Sequence, residues 1–440
     1  MIMHNKKFAI SSSLSIFLTI SLIIILKLFY IYYVYPNESY RGYNYINHGF
    51  FLEASSVLFG LLPLFILKIK PKKPSEYGLN ILFLFVFIPS ISVGSYLLNN
   101  SLEIIIFFLT NLLGVFCLWL SSNFFSKYFL IRKIINFPNQ FDYFFIISFI
   151  YLLSIFSLIS LIQNFDYIFS IQSMEDIYSL RLENRSNSGG ISGYIYAALR
   201  SLVLIFFIYK FFQSENNLFK FLFLCVIFCI CLDQLLSVFI RSHLYILLML
   251  MTVGYFLNRN TIKFYHFPMA AIIFSLTCFF VDYIFNVDFL SYTFVRRLLI
   301  VPGSINAFYF SYVNDIGTFF ELEKASNFFN FDNVTYAIGS YSDQGNFNMN
   351  MNTNLWSISY AYIGIVGIIA TSLVSGIILS FLNLANNNKS HFLGAIIAVY
   401  FGLIWSEQSL WSSFLSNGII YCIFFFVAFS SSNSTNWKKL

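Results

Sequence analysis

The sequence has too few charged residues for an ordinary soluble protein. Only 10% of its 440 residues are charged, whereas 58% are hydrophobic and phenylalanine alone occurs 58 times. A chain with this composition cannot cover a folded domain with a water-soluble surface. Its mean hydropathy of +0.75 instead indicates an integral membrane protein.

Motifs for nucleotides, metals and disulfides are also missing. The sequence contains no P-loop, no glycine-rich dinucleotide fingerprint and no HExxH motif, which argues against ATP or a nucleotide sugar as the energy source. All six cysteines fall within apolar runs, which argues against disulfides. Three of them crowd one segment (Cys225, Cys229 and Cys231), but that segment offers no complete metal-binding set. We therefore expect no cofactor, no metal and no nucleic-acid partner.

Apolar runs long enough to cross a hydrocarbon core of about 30 Å recur along the whole chain. They predict an all-α integral membrane protein, a single transmembrane domain over residues 1–440 with about twelve helices. The first run follows Lys6 and Lys7, but it is too long for a cleaved signal peptide, so we expect it to be retained. The predicted spans are 8–33, 46–67, 79–98, 104–126, 143–163, 191–213, 218–240, 243–257, 264–284, 355–382, 392–406 and 414–430.

The cations in the short loops predict the orientation of these helices. Sixteen of the 25 lysines and arginines fall at alternate helix ends, which the positive-inside rule assigns to the cytoplasm. An even number of spans then places both termini in the cytoplasm. Fourteen of those sixteen are lysine, but seven of the nine remaining cations are arginine: Arg41, Arg181, Arg185, Arg200, Arg241, Arg296 and Arg297.

This division of lysine and arginine points to an anion on the outer side. A guanidinium is a rigid fork that binds phosphate or carboxylate oxygens through two hydrogen bonds and keeps its charge in a low-dielectric cleft. The alternative is that these arginines neutralise outer acids such as Asp176, Glu183 and Asp288, or meet lipid headgroups.

Two external loops hold several of these arginines. In the loop 164–190 a short helix over 174–187 would place Arg181 and Arg185 on one face, although cations near a helix C-terminus also complement its dipole. The large external loop 285–354 opens with an apolar segment that contains Arg296 and Arg297. We expect that segment to lie in the outer interface as broken helices. Its later part has asparagine at every second position from 346 to 354, which suits sugar hydroxyls or reflects composition bias.

Arg200 lies about nine residues inside its predicted helix, within the bilayer. An arginine there costs at least ~2.5 kcal/mol by insertion scales, so it should face a cavity or an acidic partner. The candidate partners are Asp233, Asp282, Glu53 and Glu407.

Three stretches carry a resemblance to a known family. RSHLYILLMLM, RRLLIVPGSINAFYF and LWSISYAYIGIVGIIA resemble, in order and topology over residues 140–430, bacterial O-antigen polymerases of the Wzy type. The resemblance implies a GT-C-like glycosyltransferase of the bacterial inner membrane that serves lipopolysaccharide or other polysaccharide biosynthesis. It would join undecaprenyl-diphosphate-linked oligosaccharide repeat units on the periplasmic face, beside a flippase and a chain-length regulator.

Such a reaction needs cations for the departing diphosphate and a base for the acceptor hydroxyl. We expect Asp233, Asp282 and Arg297 to act in catalysis, with Asp176 and Glu407 as further candidates for the base. Substrate binding is assigned to five arginines: Arg181, Arg185, Arg200, Arg241 and Arg296.

Two other functions compete with a polymerase. A lipid-linked oligosaccharide flippase also has about twelve helices and an arginine-lined cavity, but it should show two similar halves and a path to both leaflets, and neither is evident. A membrane acyltransferase would need an intramembrane histidine, whereas His243 and His266 lie near predicted helix ends.

Overall fold

The computed structural model describes residues 2–128, 140–163, 191–238, 242–259, 261–318, 331–342, 351, 353–384 and 388–432. Within these ranges all regular secondary structure is helical. The α-helices are α1 Ile2–Phe29, α2 Tyr35–Glu38, α3 Gly49–Leu61, α4 Pro74–Leu82, α5 Ile88–Val93, α6 Ser101–Tyr128, α7 Gln140–Gln163, α8 Ile191–Gln213, α9 Asn217–Val238, α10 Ser242–Asn258, α11 His266–Phe285, α12 Val301–Ile316, α13 Phe331–Ser342, α14 Ser357–Ile363, α15 Ile365–Leu382, α16 Asn388–Glu407, α17 Leu410–Ser416 and α18 Ile419–Ser432. Three π-helical segments (Tyr30–Val34, Phe83–Phe87 and Ser291–Ile300) and three 3₁₀ segments (Ser39–Arg41, Leu62–Phe65 and Gly94–Leu97) join some of them.

Six helical segments of the described chain are long and apolar enough to cross a membrane. They are Ser11–Arg41, Pro74–Leu97, Ser101–Ser126, His266–Phe285, Ile365–Leu382 and Lys389–Glu407. Shorter apolar helices cover Gly49–Phe65, Ile147–Ile162, Tyr245–Asn258 and Ile419–Ser430. The chain is therefore an α-helical membrane protein, as its hydropathy predicts.

The core of the bundle lies where the segment Pro74–Leu97 packs against α16. The apolar window of Pro74–Leu97 is fully buried, and that of Lys389–Glu407 is 89% buried. Glycines allow their backbones to approach closely: a Cβ on Gly78 would lie 2.8 Å from the Ala398 carbonyl oxygen, and one on Gly402 would lie 2.8 Å from the Ile81 side chain. Small residues serve the same purpose at helix contacts in membranes generally.

The segment that we expected in the outer interface is packed inside the bundle. It forms the π-helix Ser291–Ile300 followed by α12, and residues 301–310 are all buried. The amide of Asn306 donates to Ser90 Oγ at 2.8 Å and to Asn111 Oδ1 at 3.2 Å. Polar groups on other helices thus accept both N–H groups of this amide, which lowers the cost of burying it, although its Oδ1 has no hydrogen-bond partner among the described residues.

Hydrogen bonds join the lysine-rich loops at one end of the bundle. The His391 ring donates to the Lys72 carbonyl at 2.8 Å, and the Phe264 N–H donates to the Ile69 carbonyl at 2.7 Å. Asp282 and the π-helix that follows it lie at the opposite end of α11. This helix has 20 residues and is about 30 Å long, so the two ends are separated by about one membrane thickness.

Candidate functional site

The π-helix Ser291–Ile300 carries both Arg296 and Arg297, and their side chains reach different acidic partners. Arg296 is 11% exposed, and its Nη2 lies 3.1 Å from Oε2 of Glu38, which is 3% exposed. Arg41 approaches the same carboxylate oxygen, with Nη1 also at 3.1 Å. One carboxylate thus lies between two guanidinium groups, which leaves this group with a formal charge of +1.

Two tyrosines enclose the Arg296 guanidinium. Its Cζ lies 4.7 Å from the ring centroid of Tyr292 and 5.5 Å from that of Tyr43. Burial raises the pKa of the Tyr43 phenol, although the nearby Arg296 charge opposes that shift. Arg296 is therefore held by an ion pair and two aromatic faces, and a ligand has little access to it.

Arg297 is the more accessible of the two. Its side chain is 43% exposed, and its Nε lies 3.7 Å from Oε1 of Glu407, which is 15% exposed. This is the longest ion-pair contact between described residues, and Glu407 Oε1 accepts no hydrogen bond. An exposed guanidinium with five N–H donors thus lies beside a carboxylate whose buried Oε1 can still accept a hydrogen bond.

Amide and hydroxyl side chains follow Glu407 at the end of α16 that lies away from the lysine-rich loops. Gln408 Oε1 accepts hydrogen bonds from Asn417 Nδ2 and from Ser416 Oγ, the latter at 3.4 Å. The Ser409 N–H donates to Thr353 Oγ1 at 3.1 Å. These groups offer both donors and acceptors, which is the chemistry that sugar hydroxyls require.

The structure pairs Arg200 with Asp233, which confirms one of the four predicted partners. Its Nη2 lies 2.9 Å from Asp233 Oδ2, and the two side chains are 6% and 0% exposed. Ser160 Oγ donates to Asp233 Oδ1 at 2.8 Å and accepts from Arg200 Nη2 at 3.2 Å. The three side chains join α7, α8 and α9 in an enclosed polar contact. As a general base, Asp233 would first have to leave this pair.

Asp282 holds the start of the π-helix that carries the two arginines. Its carboxylate oxygens accept the N–H groups of Leu290 at 3.0 Å and Ser291 at 2.6 Å. Asn286, at φ +51°, turns the chain after α11 so that these amides face back toward Asp282. The carboxylate is 5% exposed in this position, which fits a positioning residue better than a base.

Asn354 is the one member of the alternating asparagines that the structure describes. It is fully buried, and its Oδ1 accepts the N–H groups of Trp356 and Ser357, both at 3.0 Å. It caps a helix and is not open to a sugar. The other four asparagines, the predicted helix 174–187, Asp176, Arg181, Arg185 and Arg241 lie outside the described residues.

The partners of Arg296 and Arg297 were not found from the sequence. Glu38 lies 258 residues before Arg296 in the chain, so no local sequence spacing connects the two residues. Glu407 was expected only as a partner of Arg200 or as a base, whereas the structure pairs it with Arg297. Comparisons of the chain with protein families, with characterised proteins and with solved structures found no match.

Proposed function

We propose that the protein is a polysaccharide polymerase of a bacterial inner membrane. It would join oligosaccharide repeat units carried on undecaprenyl diphosphate, such as those of an O-antigen, at the periplasmic face. The proposal includes twelve membrane spans, cytoplasmic termini and a GT-C-like bundle. The loop lysines support this orientation, since they fall at alternate ends of the predicted spans.

The observation that carries the proposal is the Arg297–Glu407 pair. It combines an exposed guanidinium with a partly exposed carboxylate at 3.7 Å, beside the amides and hydroxyls that follow α16. Glycosyl transfer from a diphosphate carrier needs a cation for the leaving group and a base for the attacking hydroxyl. Of the candidate bases that the structure describes, Asp233 and Asp282 have strong partners of their own, whereas Glu407 does not.

The proposed step uses only the two lipid-linked substrates. Glu407 takes the proton of an acceptor hydroxyl as the hydroxyl oxygen attacks the anomeric carbon of the donor chain. The bond from that carbon to the diphosphate oxygen breaks, and undecaprenyl diphosphate leaves with the electron pair. Arg297 binds the diphosphate and stabilises its increased negative charge. Arg296 would have to exchange its contact with Glu38 for such a role, so we assign the diphosphate first to Arg297.

The test is an in-frame deletion of the gene with plasmid complementation, followed by a lipopolysaccharide gel. We expect deletion to reduce the ladder to core plus a single repeat, and the unaltered gene to restore it. Glu407→Gln should not restore the ladder, because loss of a general base typically costs about 10²–10⁴-fold in rate. Arg297→Lys should shorten it, because lysine keeps the charge but not the bidentate fork.

Matched controls separate these effects from loss of a surface charge. Glu103→Gln removes a carboxylate from the first turn of α6, which lies at the same end of the bundle. Arg41→Lys alters an arginine of similar exposure, 38%. Both controls should restore the full ladder, at protein levels equal by immunoblot. A full ladder with Glu407→Gln would overturn the assignment of the base. Loss of even the single repeat on deletion would favour the flippase.

A further inference from the structure

A basic pocket lies at the end of the bundle that carries the lysine-rich loops. It has a volume of about 590 Å³ and is formed by the turn between α10 and α11 together with Lys70. Backbone hydrogen bonds fix this turn: the Phe264 N–H donates to the Ile69 carbonyl at 2.7 Å, and the Thr261 N–H donates to the Phe256 carbonyl at 3.1 Å. The pocket is thus built from hydrogen-bonded backbone.

The described residues of the pocket concentrate positive charge and include no acidic side chain. Lys70, Arg259 and Lys263 line it, and none of the nine described lining residues is acidic. No carboxylate in the described part of the chain lies within 4.0 Å of these three cations, whereas the neighbouring Lys68 pairs with Glu76 at 2.6 Å. Like charges around one concave surface repel each other, and a bound anion would relieve that repulsion.

This pocket differs from the arginine sites at the other end of the bundle. There, Arg296 and Arg297 each have a carboxylate within 4.0 Å, and so does Arg200 inside the bundle. A positive-inside bias accounts for lysines at this end, but it does not require three cations to converge on one pocket. Among the described residues, the basic pocket therefore has more uncompensated positive charge than the arginine sites. It is the stronger candidate for a site that binds an anion.

Aromatic side chains hold the cations and supply a further donor. Arg259 Cζ lies 4.7 Å from the Tyr255 ring centroid, and Lys263 Nζ lies 5.4 Å from that of Tyr265. His266 stacks on Phe256, with centroids 5.1 Å apart, and its Nδ1 accepts the Lys263 N–H at 2.9 Å. The other ring nitrogen, Nε2, therefore carries the proton of the neutral ring and can donate it to a ligand.

We propose that this pocket binds the phosphate of an anionic lipid headgroup. Phosphate oxygens suit the convergent lysine and arginine donors. The pocket lies at the first turn of α11, whereas Asp282 lies at the other end of this helix, about one membrane thickness away. The pocket is therefore at the level where lipid headgroups lie. Its volume falls within the range of about 300–1,000 Å³ typical of ligand pockets and exceeds what a lone inorganic phosphate would fill. The inference does not depend on the polymerase proposal.

The experiment measures lipid binding by the purified full chain in neutral detergent. Short-chain phosphatidylglycerol should bind and raise the unfolding temperature, because a ligand of the folded state stabilises it, and phosphatidylcholine should not. The double variant Arg259→Gln/Lys263→Gln should bind phosphatidylglycerol about 30-fold more weakly, from two lost cation contacts. The control Lys220→Gln/Lys389→Gln removes two charges at the same end but outside the pocket, and should bind as the unaltered protein does.

Three outcomes would overturn the proposal. The first is equal phosphatidylglycerol binding by the pocket variant and the control variant. The second is an equal stabilisation of the unaltered protein by phosphatidylglycerol and phosphatidylcholine, a result that needs no variant to fold. The third is full competition by millimolar inorganic phosphate with no preference for the lipid, which would assign the pocket to free phosphate instead.

Discussion

The pair of Arg200 and Asp233 permits a test that separates folding from substrate binding. It is the most enclosed ion pair between described residues, with side chains 6% and 0% exposed. Arg200→Met removes the guanidinium and leaves the Asp233 carboxylate buried without its counter-ion. Removal of one partner of a buried pair typically costs about 3–5 kcal/mol of the free energy of unfolding. The hydrogen bond from Ser160 offsets only part of that cost.

The double variant Arg200→Met/Asp233→Asn should recover most of the lost stability. Its asparagine is neutral, has almost the volume of aspartate, and can still accept the Ser160 hydroxyl. We expect it to lie within about 1–1.5 kcal/mol of the unaltered protein, the value of one ordinary hydrogen bond. The double-mutant cycle should therefore give a coupling energy of at least about 2 kcal/mol. Reversible unfolding in mixed detergent micelles, followed by tryptophan fluorescence, measures each free energy.

The polysaccharide ladder of the same strains gives the second readout. If the pair serves the fold, the double variant should restore a full ladder even though both charges are gone. A double variant that is folded but yields no ladder would show that Arg200 or Asp233 takes part in substrate binding or catalysis. A loss below about 1 kcal/mol for Arg200→Met, or a double variant no more stable than the single one, would refute the argument from buried charge.

Three further predictions concern residues that form or position the site. Arg297→Lys should reduce the mean chain length of the polymer on a gel while Arg41→Lys leaves it unchanged, and equal ladders would remove the argument for a bidentate contact. Asp282→Ala should lower the free energy of unfolding by about 3 kcal/mol because two backbone N–H groups lose a charged acceptor, and Asp282→Asn, which keeps one acceptor oxygen, should lose about half of that. Gly303→Ala should lower the amount of folded protein on size-exclusion chromatography. The new Cβ would lie 2.3 Å from the Pro89 carbonyl carbon, and overpacking costs about 1–3 kcal/mol of the free energy of unfolding. A normal yield would show that α12 can shift to make room.

The ion pairs show which contacts could be predicted from the sequence and which could not. A buried arginine in an apolar helix predicts an acidic partner, and Asp233 was among four candidates for Arg200. The sequence could not choose between them, because all four were expected in the outer halves of their predicted helices and the choice depends on which helices are neighbours. The pairing of Arg296 with Glu38 and of Arg297 with Glu407 had no sequence signal. The two arginines are adjacent in the chain, yet the turn of the π-helix directs them to different partners.

The sequence by itself determined that the protein is helical and lies in a membrane. Its apolar runs are long enough to span a bilayer, and in lipid each run must form a helix so that its backbone hydrogen bonds are satisfied within the segment. It also predicted that the loop lysines lie at one side of the membrane and most of the arginines elsewhere. Only the tertiary structure decided that residues 301–310 are buried, that Asp282 caps a helix and that the charges of Lys70, Arg259 and Lys263 meet at one pocket. Hydropathy measures the preference of each residue for water or lipid, whereas these contacts depend on which distant segments pack together.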